Sequence, residues 1–319
     1  MDRRAFLRTS ALGVAAVAAP GLLAACSRGP GDPAEAATIG ELLARLDAGG
    51  AKRGLSVFLA GEDYVEGVEG YLGFGLVRDQ AGPISDQAAT LWLAPTADPE
   101  ARVELLGPLT AGWQGYVRPD GPLPSPQGIN AATVDFDVAG IWTLVAQVDG
   151  SQGALVGTAA VQVKPRSQAS TRLPGEEAIA SLTPTTADSR GIDPICTRTP
   201  PCDFHQVTLR EAFGAGKPTA FYVGTPRFCT SRTCGPNLEE LIAVAGQVGD
   251  RATFVHAEVY RDDEPDTVAR RIVAPAFTEW GLQSEPWLFL IDADGVVASR
   301  FEGPVTASVI TEALQPLLA

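Results

Sequence analysis

Thr219-Ala-Phe-Tyr-Val223, then Cys229-Thr-Ser-Arg-Thr-Cys234-Gly-Pro236, then Leu238-Glu-Glu-Leu-Ile-Ala-Val244: this stretch decides the fold. The short apolar run reads as a buried strand, and the apolar spacing after Pro236 reads as a helix. Two cysteines between a strand and a helix sit where thiol chemistry is usually done. A helix N-terminus lowers a thiol's pKa, and the thiolate is the nucleophile. The chain has 319 residues and five cysteines, so each cysteine can be assigned a task.

Cys26 is explained by what precedes it. Asp2-Arg3-Arg4-Ala5-Phe6-Leu7-Arg8 is a charged start, and an apolar run follows from about Ala11 to Ala25. That layout is an export signal, too short and wrongly flanked for a spanning helix. The arginine pair with Phe6 and Leu7 resembles the twin-arginine signal, and Leu23-Ala24-Ala25-Cys26 resembles a bacterial lipobox. That resemblance implies lipidation of Cys26 and a protein held at the outer face of the bacterial cytoplasmic membrane. Outside the cytosol disulfides persist, and the remaining Cys196, Cys202, Cys229 and Cys234 parse into two close pairs.

The net charge of -14 excludes some partners. A surface this acidic argues against nucleic acid and against electrostatic docking to anionic lipid. The lipid, not charge, would hold the chain at the membrane.

Residues 1–26 are thus read as the signal, and 27–53 as a tether with a short amphipathic helix near Thr38–Leu46. Residues 54–164 carry short β-like runs between Gly, Pro and Asp, such as Tyr71-Leu-Gly-Phe-Gly-Leu-Val77 and Ile141-Trp-Thr-Leu-Val145. Seven or so such runs predict an antiparallel β-sandwich, immunoglobulin-like by pattern. Asp149-Gly150-Ser-Gln-Gly153 reads as one of its hairpin turns. The region holds no Cys or His, so Trp92 and Trp142 are read as core or interface residues rather than catalytic ones, and its ligand is unspecified. Residues 165–190 are polar with scattered prolines and read as a linker.

From Gly191 to residue 319 the elements alternate. Strands are predicted at Thr219–Val223, Thr253–Val259, Trp287–Ile291 and Val296–Phe301. Helices are predicted at Pro236–Val248, Pro265–Phe277 with a break at Pro275, and Thr306–Leu318. Asp292-Ala-Asp-Gly295 turns the last two strands. This α/β order, with the cysteines after the first strand, resembles the thioredoxin-like superfamily over about 120 residues. Glu285-Pro286 before an apolar strand and Phe289-Leu-Ile-Asp-Ala-Asp-Gly-Val-Val-Ala-Ser-Arg-Phe-Glu-Gly303 carry the same resemblance, to membrane-anchored bacterial members. It implies that Pro286 is cis and lies against an active disulfide, that Cys229 attacks, and that Cys234 resolves.

The sequence departs from that family at its centre, with four residues rather than two between the cysteines. Positions five apart in a regular helix stand about 140° apart around the axis, so their Cβ atoms cannot reach about 3.8 Å. A Cys229–Cys234 disulfide therefore needs a loop. Pro236 suits a first helical position, which leaves both cysteines before the helix. Arg227 and Arg232 should favour a thiolate, while Glu239 and Glu240 would slightly oppose it.

Cys196-Thr-Arg-Thr-Pro-Pro-Cys202 lacks a helix after it and is read as a structural staple; a relay to Cys229 and Cys234 would need only proximity. His205 and His256 are read as ordinary hydrogen-bonded histidines. His256 lies too early, and on a strand, for the copper site of Sco-type assembly proteins, and no Cys or His pair shows zinc-finger spacing, so no metal and no cofactor is expected.

Three functions compete. The first is a lipid-anchored thiol–disulfide oxidoreductase acting on exported protein thiols or disulfides, its direction open. The second is a thiol peroxidase with Cys229 peroxidatic, because bacterioferritin-comigratory peroxiredoxins share the four-residue gap. Tyr222 and Pro226 stand where that family's signature needs proline and threonine. The third is a non-catalytic surface protein with static disulfides.

Overall fold

The computed structural model describes residues 31–117, 127–150 and 153–319. Cys26 and the export signal lie outside the described residues, as do Ser151 and Gln152 of the expected 149–153 turn. Among the described residues no helix is long and apolar enough to cross a membrane.

The first α-helix among the described residues is α1 (Ile39–Ala48), capped by the Thr38 hydroxyl, which accepts from the Glu41 N–H at 3.0 Å. Ile39, Leu42 and Leu46 recur on one face and pack on Trp92, Val145 and Val156. The strands beneath are β1 (Lys52–Arg53), β2 (Leu55–Leu59), β3 (Tyr64–Val65), β4 (Val68–Arg78), β5 (Gly82–Ile84), β6 (Ala89–Ala94), β7 (Leu106–Gly115), β8 (Gly128–Phe136), β9 (Gly140–Val148) and β10 (Leu155–Lys164). On β10 Val161 and Val163 face the core while Gln162 points out, the period of two that one buried face demands.

These strands form one continuous ten-stranded sheet, ordered β1-β10-β9-β6-β7-β8-β4-β2 with β3 on β10 and β5 on β4, where two sheets were expected. The sheet curls until its ends nearly meet. At that seam Gly157 of β10 lies so close to β2 that a Cβ would fall 1.9 Å from the Leu55 carbonyl oxygen, so glycine is required. Inside, Phe136 packs edge-on against Trp142 and tilted against Tyr64, and the Trp142 indole donates to the Val138 carbonyl.

The second sheet comprises β11 (Thr219–Val223), β12 (Thr253–Ala257), β13 (Trp287–Ile291) and β14 (Val297–Glu302), ordered β12-β11-β13-β14. β11 pairs in parallel with β12 and antiparallel with β13, and β13 pairs antiparallel with β14. Every residue of β11 and β13 is buried, which is why both read as unbroken apolar runs. Helices cover both faces. Between β1–β10 and this sheet lies α2 (Leu209–Phe213), capped reciprocally by Thr208 and Glu211 and not foreseen from the sequence. The others are α3 (Cys234–Val248), α4 (Pro265–Ala269), α5 (Pro275–Glu279) and α6 (Ala307–Leu314). Leu238, Leu241, Val244, Ile310 and Leu314 pack on Ala220 and Tyr222, whereas Leu209, Phe277 and Trp280 pack on Phe221 and Phe289. The expected helix Pro265–Phe277 is two short helices, each opened by its proline.

The segment read as a linker is not free. Ser181 and Thr183 are buried, the Thr183 hydroxyl accepts from the Leu209 N–H, and the Ser181 hydroxyl accepts from the Trp280 indole. The two units also meet through charge. Asp63 pairs with Arg300 at 2.7 Å and with Lys164 at 2.6 Å, and the Glu302 carboxylate accepts from the Glu62 and Asp63 N–H groups. Glu240 of α3 accepts from the Val117 and Ala307 N–H groups. A cleft of ≈ 680 Å³ opens along the junction between Tyr71, Gln114, Arg166 and Arg300.

Candidate redox site

β11 delivers the chain to the C-terminal end of the sheet, where the loop after Val223 carries the cysteines. Cys229 to Arg232 form a turn, with the Arg232 N–H donating to the Cys229 carbonyl at 3.3 Å. Arg232 sits in the left-handed region at φ 61°, which folds the loop back. Cys229 and Cys234 are joined as a disulfide with Cα atoms 5.9 Å apart. The helix differs from expectation: α3 begins at Cys234 itself, not at Pro236. Pro236 is the third helical residue, still within the first turn, where a missing N–H costs no helical bond.

The two sulfurs have unlike surroundings. Cys234 is fully buried, and Cys229 is half-buried at the surface. The Cys234 N–H donates to Cys229 Sγ at 3.2 Å, and the Ser231 hydroxyl lies 3.1 Å from the same sulfur. Ser231 is held in turn by Thr233 at 2.8 Å. Both contacts favour negative charge on Cys229, and the N–H is among the unpaired donors of a helix N-terminus.

The charged residues act differently from the sequence reading. Arg227 pairs with Asp263 at 3.0 Å and lies over the Phe228 ring, so its charge is offset. Glu239 is engaged by Arg198 in a two-pronged pair at 2.7 and 3.1 Å. Glu240 faces the junction, where burial raises its carboxyl pKa despite two backbone donors.

The Glu285–Pro286 bond is cis. Val223 pairs with Trp287, which puts Pro286 at the sheet end where the cysteine loop begins. The Gly303 N–H donates to the Pro286 carbonyl, and the Asn237 side chain donates to the Gly303 carbonyl, so α3 is tied to this proline's neighbourhood. Glu285 is buried with Oε1 unpartnered and Oε2 3.5 Å from Arg271. Burial raises its pKa against the pull of that arginine.

No protein-family model matches the chain, and no curated protein matches it. Solved structures offer a fainter likeness. A thioredoxin-family thiol:disulfide interchange protein from Chlorobium tepidum TLS is 17% identical at a TM-score of 0.31, covering 46% of this chain and 99% of its own. A DsbF homologue from Corynebacterium diphtheriae is 19% identical at 0.25, over 35% of this chain and 78% of its own. A secreted thiol-disulfide isomerase from Corynebacterium glutamicum is 15% identical at 0.27, over 35% of this chain and 75% of its own. Likeness at this level carries no argument, so the functional reading rests on the cysteine geometry.

The second pair departs from the sequence reading. Cys196 and Cys202, expected as a disulfide staple, are free thiols here with sulfurs 3.8 Å apart. Both histidines join them. His256 Nδ1 lies 3.4 Å from Cys202 Sγ and 3.7 Å from Cys196 Sγ, and His205 Nε2 lies 3.5 Å from Cys202 Sγ. All four residues are buried, with donor atoms within 4.8 Å of one another. The backbone explains the meeting: β12 is an edge strand, and the His256 N–H donates to the Phe204 carbonyl, so residues 202–205 run along that edge. Cys202-Asp-Phe-His205 was the one local signal; His256 arrives from a strand far along the chain. The Cys202 hydrogen bond holds the Cys196 thiol far below its usual range, aided by both histidines, and Cys202 is pushed up.

Proposed function

We propose that this chain is a thiol–disulfide oxidoreductase, acting outside the cytoplasmic membrane and anchored there through Cys26. The observation that carries the reading is the asymmetry of the pair: Cys229 half-exposed with two donors on its sulfur, Cys234 buried behind it. In the reducing direction the Cys229 thiolate attacks a sulfur of an exported protein's disulfide, and one substrate thiolate leaves. The Cys234 thiolate then attacks Cys229 Sγ, releases the second substrate thiolate and restores the Cys229–Cys234 bond. Two electrons pass to the substrate, and a second exported dithiol returns them by the reverse steps. Pro286 is read as flanking the exchanging sulfurs. The curled β unit, one sheet rather than the two of an immunoglobulin sandwich, is read as a module that engages a partner.

Incubation of Cys234→Ser with a disulfide-bonded protein substrate should trap a mixed disulfide at Cys229, and Cys229→Ser should trap none. A glutathione titration should place the pair's potential in the exchange range. A value below about -300 mV would mark a static bond and overturn the reading.

A further inference from the structure

We propose that Cys196, Cys202, His205 and His256 form a closed, four-coordinate zinc site. The inference stands apart from the redox reading and uses none of the residues of the Cys229–Cys234 pair.

The cluster has the shape of a metal site. A tetrahedral zinc ion with Zn–S of about 2.3 Å and Zn–N of about 2.0–2.1 Å requires S–S edges of about 3.8 Å and S–N edges of about 3.5 Å. The protein presents one S–S edge of 3.8 Å and S–N edges of 3.4, 3.5 and 3.7 Å. Hydrogen-bonded thiols and imidazoles reach such separations pairwise; what this cluster adds is four buried donor atoms, two sulfurs and two ring nitrogens, all within 4.8 Å of one another. A disulfide would instead draw the sulfurs to about 2.05 Å, and His256 Nδ1 facing both of them would then have no role.

His256 is also oriented for ligation. His256 Nε2 donates to the Gly224 carbonyl at 3.1 Å, which leaves the Nδ1 lone pair aimed at both sulfurs. Fixing an imidazole's far nitrogen with a backbone carbonyl is how metal-ligating histidines are usually held. Two thiolates and two imidazoles are a soft donor set that disfavours magnesium and calcium, and closed N2S2 tetrahedra suit zinc. On binding, the two thiols release their protons to water, and their charge neutralises the ion.

An ion here would secure an irregular segment to the sheet. Cys196, Cys202 and His205 lie in an irregular stretch beside an edge strand, while His256 lies in that strand. The same stretch supports the redox loop. The Thr197 hydroxyl accepts from the Arg227 N–H at 3.1 Å, and Arg198 holds Glu239 of α3. Between the cluster and the disulfide stands Tyr222, whose ring lies 5.4 Å from that of His256. Zinc would therefore fasten the floor on which Cys229 and Cys234 sit, without offering an open position for chemistry.

The test begins with the full chain purified without chelator, and its metals quantified by mass spectrometry. About one zinc per chain is expected, falling at least tenfold in His256→Ala and Cys202→Ser. Because those variants may lose the fold, the unsubstituted chain supplies a second readout. Denatured with chelator but no reductant, and alkylated for peptide mapping so that Cys26 is counted apart, it should carry the label at both Cys196 and Cys202. Replacing zinc by cobalt(II) should give the visible absorption of a tetrahedral thiolate site. Absence of zinc together with no label at Cys196 or Cys202 would overturn the proposal in favour of a disulfide. Stoichiometric copper in place of zinc would overturn the choice of ion.

Discussion

The Tyr222 hydroxyl donates to the Cys234 carbonyl at 2.6 Å, tying the middle of β11 to the first residue of α3. The tyrosine is fully enclosed, and burial raises its pKa well above the ordinary phenol value, so it stays a neutral donor across accessible pH. Tyr222→Phe keeps the ring and loses the bond. The oxidised protein should lose about 0.5–1.5 kcal/mol, read as a lower denaturant midpoint at unchanged slope.

Accessibility should separate the two sulfurs of the pair. After gentle reduction at neutral pH, Cys229 should be alkylated well before Cys234, which is buried behind it at the start of α3. Peptide mapping of a timed iodoacetamide reaction checks this. Equal rates at both positions would contradict the assigned order of attack.

The junction between the units should be sensitive to one carboxylate. Asp63 and Arg300 are almost completely enclosed, with side-chain exposures of 4% and 6%. Asp63→Ala leaves the Arg300 guanidinium without its partner and should cost about 3–5 kcal/mol. Thermal unfolding of Asp63→Ala beside Lys164→Ala distinguishes this from a surface effect, because Lys164 is a third exposed and should cost far less.

Glu285 supplies a pH dependence of defined sign. Its carboxyl is raised above the ordinary 4.5, so the folded protein holds a proton that the unfolded chain has already released. Its contribution to stability therefore falls as pH rises from 4.5 through the native value. Glu285→Gln should flatten that decline over the same window. Chemical denaturation at a series of pH values, wild type against variant, gives the comparison; parallel curves would refute it.

The cysteine-bearing unit was legible where one element decided its own structure. Thr219–Val223 and Trp287–Ile291 are apolar throughout because both faces are covered, and that shows in the residues themselves. Asp292 accepts from the Asp294 and Val296 N–H groups, the local turn chemistry that the sequence announces. What stayed hidden depends on distant pieces of chain meeting. Curling of the ten strands hinges on Gly157 passing beneath Leu55, about a hundred residues earlier. The gathering of His256 with Cys196 and Cys202 needs the edge of β12 to be covered by residues 202–205, which no spacing rule encodes. The start of α3 at Cys234 was missed for a subtler reason: proline is as tolerable at the third helical position as at the first.

The enclosed Asp63–Arg300 pair, with the Glu302 carboxylate on the Glu62 and Asp63 N–H groups, splints the curled sheet to the cysteine-bearing unit. α1, packed on the outside of the curled sheet, puts the entry of the described chain on the same splinted body as the disulfide. Under the proposed function, a partner must present its sulfur at the orientation that Cys229 dictates, and choice among partners falls to the surface around that one sulfur.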